Sequence, residues 1–193
     1  INSPEVLRTR RLIYCMDYFY QDRSIDEKKI AVFGLSRLGK AALWASALDE
    51  RFALTISGNS GHGGATIWRR KIGETLYSMN KRTPHWLCKH SNNFNHMEQK
   101  LPFDQHTLLS LIAPRPVLVT SAATDPLSDP IGEFFGAKNA SDVYNFLNVE
   151  GLEASELPKD GEFINSRIGY YIRKHDITEE DWDNYIKFAN KYL

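Results

Sequence analysis

The chain has 193 residues, 42% of them hydrophobic, and its 24 basic side chains are matched by 24 acidic ones. That is enough for one α/β domain with a substantial core. A formal net charge of zero lacks the basic surplus of a nucleic-acid binder, and no apolar run reaches membrane-spanning length, so neither nucleic acid nor a membrane is expected as a partner. Cys15 and Cys88 form no disulfide framework, and each reads as a small buried hydrophobe. The chain opens on Ile1 rather than Met, which reads as a processed or truncated product that would have lost any targeting signal.

In chain order, Pro4 to Asp22 reads as a helix with Ser3 as its N-cap, its apolar face built on Val6, Ile13, Met16 and Tyr20 and widened by Leu12, Cys15 and Phe19. Lys29 to Gly34 is a short strand, apolar enough to be buried on both faces. A helix from Gly39 to Leu48, a strand from Ala53 to Ser57 and the glycine-rich run from Ser60 to Gly64 follow. Residues 65 to 105 look irregular, with one helix around Thr66 to Leu76. Beyond them come a short helix Thr107 to Ala113, a strand Val117 to Ser121, a helix Ile131 to Val143, a strand Ile168 to Ile172 and a closing helix Thr178 to Tyr192. Strands alternating with helices predict a mostly parallel sheet flanked by helices.

The most informative stretch is Gly34-Leu35-Ser36-Arg37-Leu38-Gly39-Lys40, between the first strand and the helix after it. Strand, sharp turn and helix are the setting of a nucleophile elbow, with Ser36 at its apex and helix N-terminal amides beside it to hold an oxyanion. The same letters spell the phosphate-binding pattern G-x-x-x-x-G-K, but the magnesium-ligating Ser or Thr that should follow the lysine is Ala41. The elbow pattern is itself imperfect, since Leu38 stands where the second glycine belongs. Nothing in the chain calls for a cofactor or a metal.

A serine nucleophile needs a base, and the base an orienting acid. In the chain order of hydrolases with such an elbow the acid precedes the histidine, which falls after the last strand. His175 holds that position; His62, His85, His90, His96 and His106 come earlier. Asp125, just after the third strand, is the candidate acid. Asp129 is its competitor, with capping of the helix behind Pro130 as its alternative role.

Together with the elbow, the runs Ser60 to Ala65, His85 to Cys88, Leu101 to His106 and Leu111 to Pro116 resemble the glucuronoyl esterases of carbohydrate esterase family 15. The similarity extends from Val6 to the C-terminus. It implies the C-terminal part of an α/β-hydrolase fold and a serine esterase acting on esters between glucuronic acid of xylan and lignin alcohols. By resemblance Ser36 is the nucleophile, His175 the base, and Arg37 an oxyanion donor through its backbone and guanidinium. Lys40 and Glu74 match positions that hydrogen-bond sugar hydroxyls. On the residues alone, Arg37 and Lys40 also read as solvated charges and Glu74 as a surface ion-pair partner. His85, Trp86, Gln105 and His106 read as a brace for the pocket floor.

Three departures from the family bear on function. Many members carry a glutamate as catalytic acid where this chain has Asn59, which moves the acid role to Asp125. A substrate-packing tryptophan is replaced by Leu127, which keeps an apolar wall but loses a stacking face. The family's sheet continues upstream of the elbow strand, so residues 1–193 read as one incomplete catalytic domain with strand 29–34 as an orphan edge. That edge is expected to pair with another copy or with a missing N-terminal segment. The readings left open are a uronate esterase, an esterase on another acyl or sugar substrate, and an inactive fragment binding carbohydrate or a partner chain. The resemblance also implies a secreted or periplasmic protein.

Overall fold

The computed structural model describes residues 4–173 and 177–193. Ser3 and His175 lie outside the described residues. Among the described residues five strands form one sheet: β1 (Ala31–Leu35), β2 (Leu54–Gly58), β3 (Val117–Ala122), β4 (Phe163–Ile164) and β5 (Ile168–Arg173). Their spatial order is β1-β2-β3-β5-β4, all parallel except β4, which runs antiparallel to β5. The predicted α/β class and all four predicted strands are present; the two-residue β4 is too short to leave a periodic signal.

Six α-helices accompany the sheet among the described residues: α1 (Pro4–Phe19), α2 (Arg37–Leu48), α3 (Leu76–Arg82), α4 (Gln105–Ser110), α5 (Pro130–Phe146) and α6 (Glu179–Tyr192). Alternation along the strands sorts their side chains between two layers. Val117 and Val119 of β3 and Ile168, Tyr170 and Ile172 of β5 join Leu43, Leu109, Phe134 and Tyr144 of the helices on one face. Leu118 and Tyr171 point the other way and meet Tyr185 and Phe188 of α6 together with Leu54 and Ile56 of β2. The α6 helix starts at a capping box in which Thr178 and Asp181 bond each other's backbone amides.

Four expectations need correction. The strand at 29–34 is not buried on both faces: Val32 and Gly34 are buried, Phe33 is half-buried, and Ala31 and Leu35 are exposed. It lies at the sheet edge, where side chains have neighbours on one flank only. No helix spans residues 66–76; there is a single 3-10 turn at Trp68–Arg70, and α3 begins only at Leu76, capped by Thr75. The chain cannot continue a helix there because Lys71 and Gly73 have positive φ values of 55° and 73°. Instead the Asp104 carboxylate accepts the backbone N–H groups of Trp68 and Arg69, at 2.7 and 3.2 Å, tying the irregular segment to the start of α4. Cys15 and Cys88 are both exposed rather than buried. Tyr20 falls beyond the end of α1 and is exposed, so the apolar face of that helix is Leu12, Ile13, Met16 and Phe19.

Candidate active site

The carboxyl ends of the parallel strands gather the chemistry, as expected for an open α/β sheet. Ser36 follows β1 with φ 56° and ψ −126°, a conformation that side-chain-bearing residues rarely adopt. Its backbone N–H donates to the Gly58 carbonyl at 2.7 Å, which fixes the bend against the end of β2. Gly34 is obligatory: a Cβ there would collide with the backbone carbonyl of Leu38. Gly39 is the second close approach, since a Cβ would lie 3.0 Å from the Ser60 Cβ and 3.1 Å from two carbonyl oxygens. The displaced glycine of the motif is thereby explained: helix and sheet touch at residue 39, whereas Leu38 points outward and is exposed. Ser36 and Arg37 are exposed, and the first amides of α2 have no intrahelical acceptors, which leaves positive partial charge beside the serine.

A cavity of about 350 Å³ opens over this bend, lined by Ser36, Leu35, Asn59, Thr124, Asp125 and Arg173, among others. A slightly larger cleft of about 420 Å³ lies elsewhere, between Arg51, Arg115 and Tyr192, and contains none of the elbow residues. Asp125 is held by four donors. Ser128 Oγ and Asn59 Nδ2 donate to Oδ2 at 2.7 and 3.1 Å, and the backbone N–H groups of Leu127 and Ser128 donate to Oδ1 at 2.9 and 3.3 Å. Partial burial raises the pKa of this carboxyl, but the hydrogen bonds outweigh it and hold Asp125 below the usual carboxylate range. The competitor Asp129 is buried and faces away, in an ion pair with Arg70 at 2.7 Å. It occupies the N-cap position of α5 but makes no side-chain cap bond, so the capping role is not realised.

Lys40 is not a solvated charge. It is 5% exposed, and its ammonium donates to the carbonyls of Ser60 and of His62, the latter at 2.8 Å, with Glu74 Oε2 at 4.0 Å and the Trp86 ring 5.9 Å away. Glu74 is half-buried, pairs with Arg82, and its backbone N–H donates to the Leu127 carbonyl at 3.3 Å. Leu127 is exposed beside it, and Gly73 is needed because any Cβ would strike the backbone of residues 126 and 127. The glycine-rich run is braced from below: Gln105 Nε2 donates to the Gly64 carbonyl at 2.7 Å and receives the Trp68 indole at 3.1 Å. His85 takes no part in that brace and is exposed at the edge of the Trp86 ring.

Two residues at the site escaped the sequence reading. Glu133, in the first turn of α5, is fully buried; it accepts from Ser121 Oγ at 2.6 Å, Gly61 N–H at 2.9 Å and Ser60 Oγ at 3.2 Å. Burial pushes its carboxyl up to about 7 despite those bonds and the nearby Lys40. Arg173, at the end of β5, is buried and donates to Asn59 Oδ1 at 2.7 Å. A charged residue ending an otherwise apolar strand was the available signal for Arg173. Glu133 gave none, because a glutamate in a first helical turn is ordinary. The structure thus brings Ser36, Asp125, Asn59 and Arg173 into one cavity, with Lys40 and Glu74 behind the adjoining loops.

Comparison with known proteins places this arrangement. The family profile for fungal glucuronyl esterases matches residues 9–148. A carbohydrate esterase of an unknown prokaryotic organism is 52% identical over 180 residues, covering 92% of this chain and 42% of the relative. A 4-O-methyl-glucuronoyl methylesterase of Neurospora crassa is 34% identical over 181 residues, covering 85% of this chain and 46% of the relative. A promiscuous family 15 esterase from a marine bacterial metagenome superposes with a TM-score of 0.94 at 50% identity, covering 96% of this chain and 47% of that structure. The chain therefore spans less than half the length of these relatives. A profile matched across residues 9–148, together with that superposition, shows that the chain belongs to the glucuronyl esterase family.

Proposed function

We propose that residues 1–193 form the nucleophile-bearing part of the catalytic domain of a serine ester hydrolase that cleaves esters of glucuronic acid in plant xylan–lignin linkages, working outside the cytoplasm. The observation that carries the reading is a serine held at positive φ over a helix N-terminus, sharing a cavity with an ionised, four-fold hydrogen-bonded aspartate. Ser36 Oγ attacks the ester carbonyl while His175 accepts its proton. The oxyanion is met by amides at the start of α2 and by Arg37. His175 returns the proton to the departing alcohol, and Asp125 stabilises the imidazolium. Water then attacks the acyl-serine with His175 as base, and the uronic acid leaves. Lys40 and Glu74 serve the sugar hydroxyls, and Leu127 forms an apolar wall.

In protein with measurable turnover, incubation with a serine-directed phosphonate is expected to label Ser36 stoichiometrically, and Ser36→Ala to abolish labelling and hydrolysis of methyl glucuronate esters alike. Labelling absent from protein that also fails to turn over would support a binding fragment instead. A second reading, an esterase on other acyl groups, is favoured by Leu127, which offers no stacking face to a sugar. Faster hydrolysis of aryl acetates than of uronate esters would support it, and Leu127→Trp would then raise only the uronate rate.

A further inference from the structure

The cavity holds a buried cation outside the mechanism above. Arg173 is 4% exposed, and none of the described carboxylates lies within 4.0 Å of it. Its Nη2 donates to Asn59 Oδ1 at 2.7 Å, while its Nε and Nη1 find no acceptor. It also interacts with the Tyr185 hydroxyl of α6, which feels Asp181 as well. Burying a guanidinium with no carboxylate partner among the described residues is costly, so its place in the cavity calls for a role in geometry.

Asn59 shows that role. Its Nδ2 donates to Asp125 Oδ2 at 3.1 Å. An arginine can only donate and an ionised carboxylate can only accept, so Arg173 and Asp125 together admit one orientation of the amide between them. The backbone of Asn59 is pinned too, with φ 44° and its N–H on the Thr120 carbonyl at 2.7 Å. We infer that Arg173 is a positioning residue: through the Asn59 amide it fixes and holds ionised the Asp125 carboxylate. The catalytic consequence of this hydrogen-bonded series rests on the proposed role of Asp125 as the acid; the series itself does not.

The test therefore has two arms. In the first, the Asp125 carboxyl resonance of the ¹³C-labelled 193-residue chain is titrated by NMR, assigned with Asp125→Asn. Its midpoint is expected to move to higher pH in Asn59→Ala and in Arg173→Met, and to stay near the parent value in Arg173→Lys. Adding Arg173→Met to Asn59→Ala should produce no further movement, because the amide is the link. An unchanged midpoint in folded Asn59→Ala overturns the inference, as do additive shifts in the double variant. Asn59 is half-buried, so Asn59→Ala decides the matter if Arg173→Met does not fold. In the second arm, hydrolysis of a methyl uronate ester, or the rate of Ser36 phosphonylation where turnover is absent, is expected to fall about 10- to 100-fold in Arg173→Met, with KM little changed where turnover is read. A moved midpoint with an unchanged rate would keep the positioning role and remove Asp125 from the proposed triad.

Discussion

The ammonium of Lys40 donates to the carbonyl of His62 at 2.8 Å from within the fold, and to that of Ser60 beside it. The cation thus grips the glycine-rich run that follows Asn59, while Gln105 holds its far end at Gly64. Burial, with Lys40 and Arg70 nearby, depresses the pKa of His62 to about 3, so this histidine stays neutral and cannot compete as a base that cycles through its charged form near neutrality.

Lys40 therefore has a structural duty alongside any contact with substrate. Lys40→Met is expected to lower stability by about 2–3 kcal/mol, because two buried carbonyls lose a charged donor. Glu74→Gln, at a half-buried position, should leave stability nearly unchanged and lower kcat/KM for uronate esters more than for aryl acetates. Denaturant unfolding paired with the two assays separates the duties; equal losses on both substrates for Glu74→Gln would assign it to the fold alone.

Asp125 and Asn59 stand side by side, and their substitutions should differ in scale. In protein with measurable turnover, Asp125→Asn is expected to cost about 10³- to 10⁴-fold in kcat, the size of effect seen when a triad carboxylate becomes an amide. Asn59→Ala should cost far less, since Ser128 and two backbone amides still hold the carboxylate. Equal losses would show that the acid lies elsewhere.

Glu133 sets a pH dependence of stability. Its carboxyl titrates at about 7 in the folded chain against 4.5 as its ordinary value, so between these the folded state holds more protons than the unfolded one. Stability from this group is thus full below pH 4.5 and is lost as pH rises towards 7. Against Glu133→Gln, the parent is expected to lose on the order of 3 kcal/mol across that window, read by denaturant unfolding at several pH values. His62, the other shifted group of this loop, imposes the opposite slope on both proteins and cancels in the difference. A flat difference would mean that burial does not raise this carboxyl above its ordinary value.

The free side of β1 makes the fourth case. The Ile30 carbonyl and Ser36 N–H bond to β2, so the backbone groups of Ala31, Phe33 and Leu35 point outward along the edge. The isolated chain is expected to self-associate and to turn over slowly or not at all. Light scattering should show smaller species for Ala31→Pro, which removes an outward donor without touching the pairing with β2. A monomeric parent with full turnover would show that this edge needs no partner.

Much of this protein was legible from pattern. Apolar β-branched runs punctuated by glycine and proline marked β1, β2, β3 and β5, and the strand–turn–helix around Ser36 marked the elbow, because these depend on local chain chemistry. Chain order alone put Asp125 after β3. The segment after Thr66 was misread, since its shape depends on Asp104, more than thirty residues away, accepting two of its amides. Lys40 looked like a surface charge because burial is decided by which loop folds over a helix, and the partner of Arg173 was not legible because Asn59 lies 114 residues distant. Local patterns determine where strands and helices form and which residue tops the elbow. Only packing of remote segments decides which charges are buried, how they are hydrogen-bonded, and therefore how Asp125, in one cavity with Ser36, is held.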